Sequence, residues 1–154
     1  MVNLRKGQPI TDISVLIVGK AGDGVLFTGN VLAKILKRQG WEVVVCRDFP
    51  SNIRGEATST IVRAALERIY SWGDCVDILL AFDCQAVFKN VQSIVRGGVI
   101  FCDGEGVGAM PDHLKKGKTF HRFLLRQLAK DSFGQEVYKN MIALGALSYV
   151  LDLD

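Results

Sequence analysis

The sequence predicts a single-domain α/β fold: an open, mostly parallel sheet with helices on both faces. Short apolar runs at 13–18, 43–46, 77–82 and 99–102 alternate with segments of helical period, and a glycine-rich turn follows the first run. No linker, internal repeat or low-complexity stretch divides the chain. Its 154 residues suffice for one ordinary domain, spanning 1–154, and are too few for two. Strand order is not legible in the pattern.

Each element has its own reason. After a polar lead-in with Gly7 and Pro9, residues 13–18 form a short apolar run rich in β-branched residues, as befits a parallel strand covered on both faces. The run stops at Gly19-Lys20-Ala21-Gly22-Asp23-Gly24. Phe27, Val31 and Ile35 then step by four, with Leu32 and Leu36 alongside, which predicts one apolar helix face. Gly40 suits the residue just past the helix end, and Lys37 and Arg38 suit its dipole. Residues 43–46 form the next strand, so the unit should have parallel strands and a right-handed crossover. The polar segment 47–57 is long for a connection that does nothing. Residues 58–66 alternate, with Ser59, Ile61 and Arg63 against Thr60, Val62 and Ala64, and read as extended. Residues 77–82 are a strand, and Asp83 is a natural N-cap for a helix burying Val87, Phe88, Val91, Ile94 and Val95. Arg96-Gly97-Gly98 is expected to close that helix before the strand at 99–102 and the glycine-rich loop 103–108. The remainder reads as helical, one short helix on Phe123, Leu124 and Leu128 and a second on Val137, Met141, Leu144, Leu147 and Leu151.

Composition excludes several classes. Nearly half the residues are hydrophobic, which argues against disorder, and a net charge of +3 with scattered Lys and Arg does not suit a nucleic-acid protein. The most apolar stretch, 141–151, is too short to span a bilayer, and no secretory signal opens the chain, so a cytoplasmic protein is expected. Cys46, Cys75, Cys84 and Cys102 show no CxxC spacing and no nearby His, so they read as apolar filler in a reducing compartment rather than as cluster or zinc ligands.

Candidate chemistry is sparse. The glycines of Gly19-x-x-Gly22-x-Gly24 fall between a strand and a helix, where backbone N–H groups could meet a phosphate. The spacing is neither GxGxxG nor a P-loop, and a tight packed turn explains it equally well. Arg54, beside Gly55 in the long loop, could hold a phosphate or carboxylate through its fork of donors, or simply pair with Asp48 or Glu56. His113 and His121 fit neither a metal pair nor a triad, and Trp41 and Trp72 read as core or interface residues. No complete catalytic constellation is present.

Three segments, taken in order, resemble the gamma subunit or domain of the 2-oxoacid:ferredoxin (acceptor) oxidoreductases. They are the glycine-rich opening at 19–25, the loop Phe49-Pro50-Ser51-Asn52-Ile53-Arg54-Gly55, and Lys139-Asn140-Met141-Ile142-Ala143-Leu144-Gly145-Ala146-Leu147 in the C-terminal helix. The opening is similar to the form found where that module is fused before the alpha subunit. The resemblance implies a module without activity of its own. It implies a complex that oxidatively decarboxylates a 2-oxoacid to an acyl-CoA and passes electrons to ferredoxin or flavodoxin. Thiamine diphosphate and iron–sulfur clusters would sit on alpha, beta or delta partners. The gamma module would pack against the alpha part and contribute to the coenzyme A side of the site. Carried over by position, Gly19, Gly22, Gly24, Arg54 and Gly55 are the expected ligand-binding residues. Asp23 and Glu56 depart from the Gln and Gly common in the family, and each adds a negative charge there. Two other readings stay open: a free-standing flavodoxin-like nucleotide-binding module, and a structural subunit without ligand. The C-terminal helix, apolar on more than one face, implies cover by an alpha-type partner or a second copy. The 2-oxoacid itself is not specified.

Overall fold

In the computed structural model, which describes residues 9–48, 57–104 and 112–153, the chain forms a six-stranded sheet. In chain order the elements are β1 (Asp12–Lys20), α1 (Val25–Arg38), β2 (Glu42–Asp48), β3 (Ala57–Ala65), β4 (Val76–Ala81), α2 (Cys84–Asn90), β5 (Ile94–Asp103), α3 (Asp112–Lys115), β6 (Thr119–Phe123), α4 (Leu125–Phe133) and α5 (Lys139–Leu151). The strand order is β2-β3-β1-β4-β5-β6. β1, β4, β5 and β6 run parallel, while β3 is antiparallel to both β1 and β2.

Alternation along β1 places Ile13, Val15 and Ile17 on one face and Leu16 and Val18 on the other, all buried. The first face joins α1, α4 and α5 through Leu32, Leu36, Leu125, Leu144 and Leu147. The second joins α2 through Ala86 and Val87, with Leu79 and Ile100 from the sheet. α1 carries the chain from β1 towards β2, and α2 carries it from β4 to β5 on the other side. The connections therefore diverge between β1 and β4, and a crevice opens at their carboxyl ends, where open α/β sheets bind ligands.

Several expectations need correction. β1 and β2 point the same way but are not neighbours, because β3 returns between them, pairing Lys20 with Ala57 and Asp48 with Ser59. The alternation in β3 holds, with Thr60, Val62 and Ala64 buried. The buried face of α1 is Val25, Thr28, Gly29, Leu32 and Leu36, turned from the Phe27 face, and Phe27 is half exposed. Gly29 lets α1 lie close on β3, since a Cβ there would stand 2.6 Å from the Thr60 methyl. Ile94 to Gly98 belong to β5 rather than to the end of α2; a register shift against β4 and the positive φ of Gly97 (87°) interrupt the strand instead. Residues 119–123 form β6, not helix. Cys46 and Cys75 are free thiols, but Cys102 is disulfide-bonded, so the filler reading does not hold for all of the cysteines.

α5 is apolar nearly all round. Ala143, Leu144, Leu147 and Leu151 enter the domain's own core, while Met141 and Tyr149 stay largely exposed. Leu147→Ala is expected to cost about 2–5 kcal/mol through the cavity it leaves. Tyr149→Ala should stay within about 0.5 kcal/mol of the parent in the isolated chain. Urea denaturation of both variants checks the inward orientation of the helix.

Candidate functional site

The parallel strands end in polar residues at one edge of the sheet. Lys20 closes β1, Phe82 and Asp83 follow β4, and Asp103 and Gly104 close β5. With Asp23 from the glycine turn and Leu124, Arg126 and Gln127 from the start of α4, they line a cleft of ≈ 340 Å³.

The turn itself is built from local bonds. The Asp23 N–H donates to the Lys20 carbonyl at 3.0 Å, and Asp23 Oδ2 accepts from the Lys20 N–H at 2.8 Å. Gly22 and Gly24 take positive φ, 92° and 81°, which other residues adopt only with strain. Gly22 faces open space, whereas a Cβ on Gly24 would overlap the Asn140 amide of α5. Gly19 packs inward: a Cβ there would stand only 3.0–3.1 Å from side-chain carbons of Val25, Asp23 and Phe82, closer than ordinary van der Waals contact. The three glycines thus do different work: close packing at 19, an open turn at 22, and passage of α5 over 24.

Asp23 is not a lone carboxylate repelling an anion. It is 93 % buried, and its Oδ1 accepts from Lys139 Nζ at 2.7 Å and from Arg126 Nη2 at 3.3 Å. Lys139 is the first residue of α5, an end where a cation opposes the helix dipole; Asp23 supplies the compensating charge, and the Phe82 ring lies 5.4 Å below the ammonium.

The other two carboxylates are also anchored by backbone N–H groups. Asp83 caps α2 by accepting from the Gln85 N–H at 2.9 Å, and pairs with Lys20 Nζ at 3.0 Å. Burial pushes its pKa up, but the Gln85 bond and the Lys20 charge outweigh burial and hold it below the ordinary value. Asp103 accepts from the Leu125 N–H at 2.8 Å and so neutralises the start of α4 from another element. Burial is its strongest influence and raises its pKa despite Arg126 and Lys139. The signs are opposite. The Asp83 contribution to stability is complete above its unfolded pKa and is lost as pH falls through the folded one. Asp103 is most favourable while protonated, and its cost grows as pH rises from the unfolded to the folded pKa.

Of the expected ligand residues, Gly19, Gly22 and Gly24 lie in this turn, while Arg54 and Gly55 lie outside the described residues. The ends of their loop are placed: β3 begins at Ala57, beside Lys20, on the cleft's edge of the sheet. Lys20, Asp103, Arg126 and Lys139 were not singled out by pattern. Position after a parallel strand was a usable signal for Lys20 and Asp103, but nothing in sequence marks Arg126. Among the described residues no group of three or more His, Cys, Asp or Glu could hold a metal.

In this doubly wound α/β module the polar cleft lies at the switch point, the crevice where open α/β sheets receive ligands. The chain belongs to the pyruvate ferredoxin/flavodoxin oxidoreductase family, whose sequence pattern matches residues 14–154. It is 27 % identical to the 2-oxoglutarate synthase subunit KorC of Archaeoglobus fulgidus, covering 92 % of this chain and 72 % of that subunit. It is 32 % identical over 94 residues to the alpha subunit of 2-oxoacid:ferredoxin oxidoreductase 2 of Aeropyrum pernix, covering 61 % of this chain but only 15 % of that one. Among solved structures, the 2-oxoglutarate:ferredoxin oxidoreductase of Magnetococcus marinus, with 2-oxoglutarate, coenzyme A and succinyl-CoA bound, superposes with a TM-score of 0.78 at 32 % identity, over 90 % of this chain and 24 % of that one. The gamma subunit of the keto/oxoacid ferredoxin oxidoreductase of Geobacter sulfurreducens shares the fold, with a TM-score of 0.80 at 23 % identity over 94 % of this chain and 79 % of that one.

Asp23→Asn should leave the Lys139 ammonium buried without its counter-charge and destabilise the chain by about 3–5 kcal/mol. The double variant Asp23→Asn/Lys139→Met should recover most of that loss. Denaturant melts of the two single variants and the double give the coupling directly; additive losses would contradict a buried pair.

Proposed function

We propose that this chain serves as the gamma-type subunit or domain of a complex that oxidatively decarboxylates a 2-oxoacid to an acyl-CoA, and that it contributes to the coenzyme A side of the site. The observation that carries this reading is the correspondence of nearly the whole module with part of the coenzyme-A-bound Magnetococcus enzyme. The chain spans a quarter or less of that enzyme chain and of the Aeropyrum alpha subunit, so the remaining chemistry falls to other parts. Thiamine diphosphate and iron–sulfur clusters are assigned to alpha and beta partners, and ferredoxin or flavodoxin receives the electrons through them. The part assigned to this module is to bind and orient. Gly22 leaves the backbone of the turn open on one side, and Arg54 is assigned a phosphate of coenzyme A.

The exposed apolar groups of the C-terminal region, Phe133, Val137, Met141 and Tyr149, support a contact with the alpha part or with a second copy. No helix among the described residues is long and apolar enough to cross a membrane, and a cytoplasmic complex is the setting proposed.

Reconstitution tests the reading. Viologen reduction dependent on a 2-oxoacid should require this chain together with thiamine-binding partners, and the chain alone should show none. Arg54→Ala should weaken coenzyme A use in the complex by about 1.5–3 kcal/mol, the scale of a charged hydrogen bond, and spare thiamine binding. A complex fully active without this chain would overturn the assignment. An unchanged Michaelis constant and turnover for Arg54→Ala would remove Arg54 from the ligand.

A further inference from the structure

Cys102, near the end of β5, is disulfide-bonded and only 1 % exposed. The chain has four cysteines, at 46, 75, 84 and 102, and Cys46 and Cys75 are free thiols. Within the chain that leaves Cys84 as the partner. The course of the backbone agrees. Ala81 of β4 lies opposite Cys102 of β5, and three residues beyond Ala81 the chain reaches Cys84, where α2 begins.

The bond stands between two carboxylates of the cleft. Asp83 precedes Cys84 and Asp103 follows Cys102, and both line the cleft wall. The two sides are not equally firm. Cys102 and Asp103 sit on a strand held in the sheet, with Cys102 paired to Ala81 on one side and Arg122 on the other. Asp83 belongs to the start of α2, a helix of seven residues that reaches the core through Ala86 and Val87. A helix so short does not hold itself. Its first turn is closed by Asp83, which accepts from the Gln85 N–H through its side chain and from the Ala86 N–H through its carbonyl. A covalent tie at the first residue of that turn therefore sets how firmly Asp83 is placed.

We propose that Cys84 and Cys102 form a reversible thiol–disulfide switch. Oxidised, the pair locks the first turn of α2, and Asp83 with it, against β5. Reduced, it releases that turn and loosens one wall of the cleft. The proposal rests on the preceding reading only for its cytoplasmic setting, where thiols are kept reduced and a disulfide that forms is redox-responsive. The reductant is a cellular monothiol of the glutathione class. Its thiolate attacks the Cys84 sulfur, the disulfide bond breaks, and the electron pair leaves on the buried Cys102 sulfur, which takes a proton. A second monothiol attacks the mixed disulfide and releases Cys84 as a thiol. Two electrons thus pass to the chain, and two monothiols become one disulfide. Oxidised glutathione reverses both steps.

The test uses the full chain, equilibrated while folded in oxidised or in millimolar reduced glutathione, then alkylated in denaturant and mapped by mass spectrometry. The oxidised sample should show two alkylated cysteines, Cys46 and Cys75, and the reduced sample four. Thermal melting checks that both samples are folded. Hydrogen exchange should then show the Gln85 and Ala86 amides about tenfold or more less protected after reduction, with the Leu79 amide of β4 unchanged. Cys84→Ala should give the low protection in either buffer. Four free thiols after oxidised glutathione would overturn the pair. A disulfide that survives millimolar reduced glutathione in the folded chain would make it a fixed strut and overturn the switch. Reduction that leaves Gln85 and Ala86 as protected as before would overturn its control of α2. These readouts need no partner subunit, so they fail separately from the reconstitution that tests the wider reading.

Discussion

The ion pair between Asp23 and Lys139 joins residues 116 apart in sequence, and the geometry of the site depends on it. Asp23 holds the turn closed through the Lys20 N–H, and Lys139 fixes the start of α5 over that turn. Asn140, the next residue, lies where any side chain on Gly24 would be. Two of the segments that carry the family resemblance, the glycine turn and the C-terminal helix, are therefore one contact in space. A buried pair of this kind is weak evidence for net stability, but either partner alone would be costly, so it commits the chain to a single arrangement.

The same logic extends along the edge of the sheet. Parallel strands ending together leave helix starts facing a common crevice, and each start needs its N–H groups satisfied. Asp83 does this for α2 from the adjacent position, and Asp103 does it for α4 from β5. Structural capping thereby fixes two carboxylates around the cleft, and closure of the glycine turn fixes the third, Asp23. Their charge must be offset, which is why Lys20, Arg126 and Lys139 gather there. The cleft's polarity is a consequence of how the fold satisfies its own helix ends and closes the glycine turn, and the Lys20 and Arg126 side chains remain the most exposed of its charges.

Much of the fold was legible because its signals are local. The apolar runs of β1 and β4, the capping position of Asp83 and the termination of α1 at Gly40 all follow from neighbouring residues. Pairing is not local: nothing within β3 says that it lies between β1 and β2. β6 was missed because Thr-Phe-His-Arg-Phe is short and sits beside helical sequence, so its strand character comes from pairing with β5. In the site, the glycines were visible from their setting between strand and helix. Asp23 was visible too, but not the pairing of its charge, since its partners Lys139 and Arg126 lie more than a hundred residues away.

Amide hydrogen exchange in the intact chain and in Lys139→Met measures the central coupling most directly. If the Asp23–Lys139 pair holds the turn to the helix, the Lys20 and Asp23 amides should lose protection in the variant, together with the first turn of α5. The Leu79 and Leu80 amides of β4 should keep theirs. Unchanged protection at Lys20 and Asp23 in a folded Lys139→Met chain would contradict the account, and would mean that the glycine turn holds its shape without the C-terminal helix.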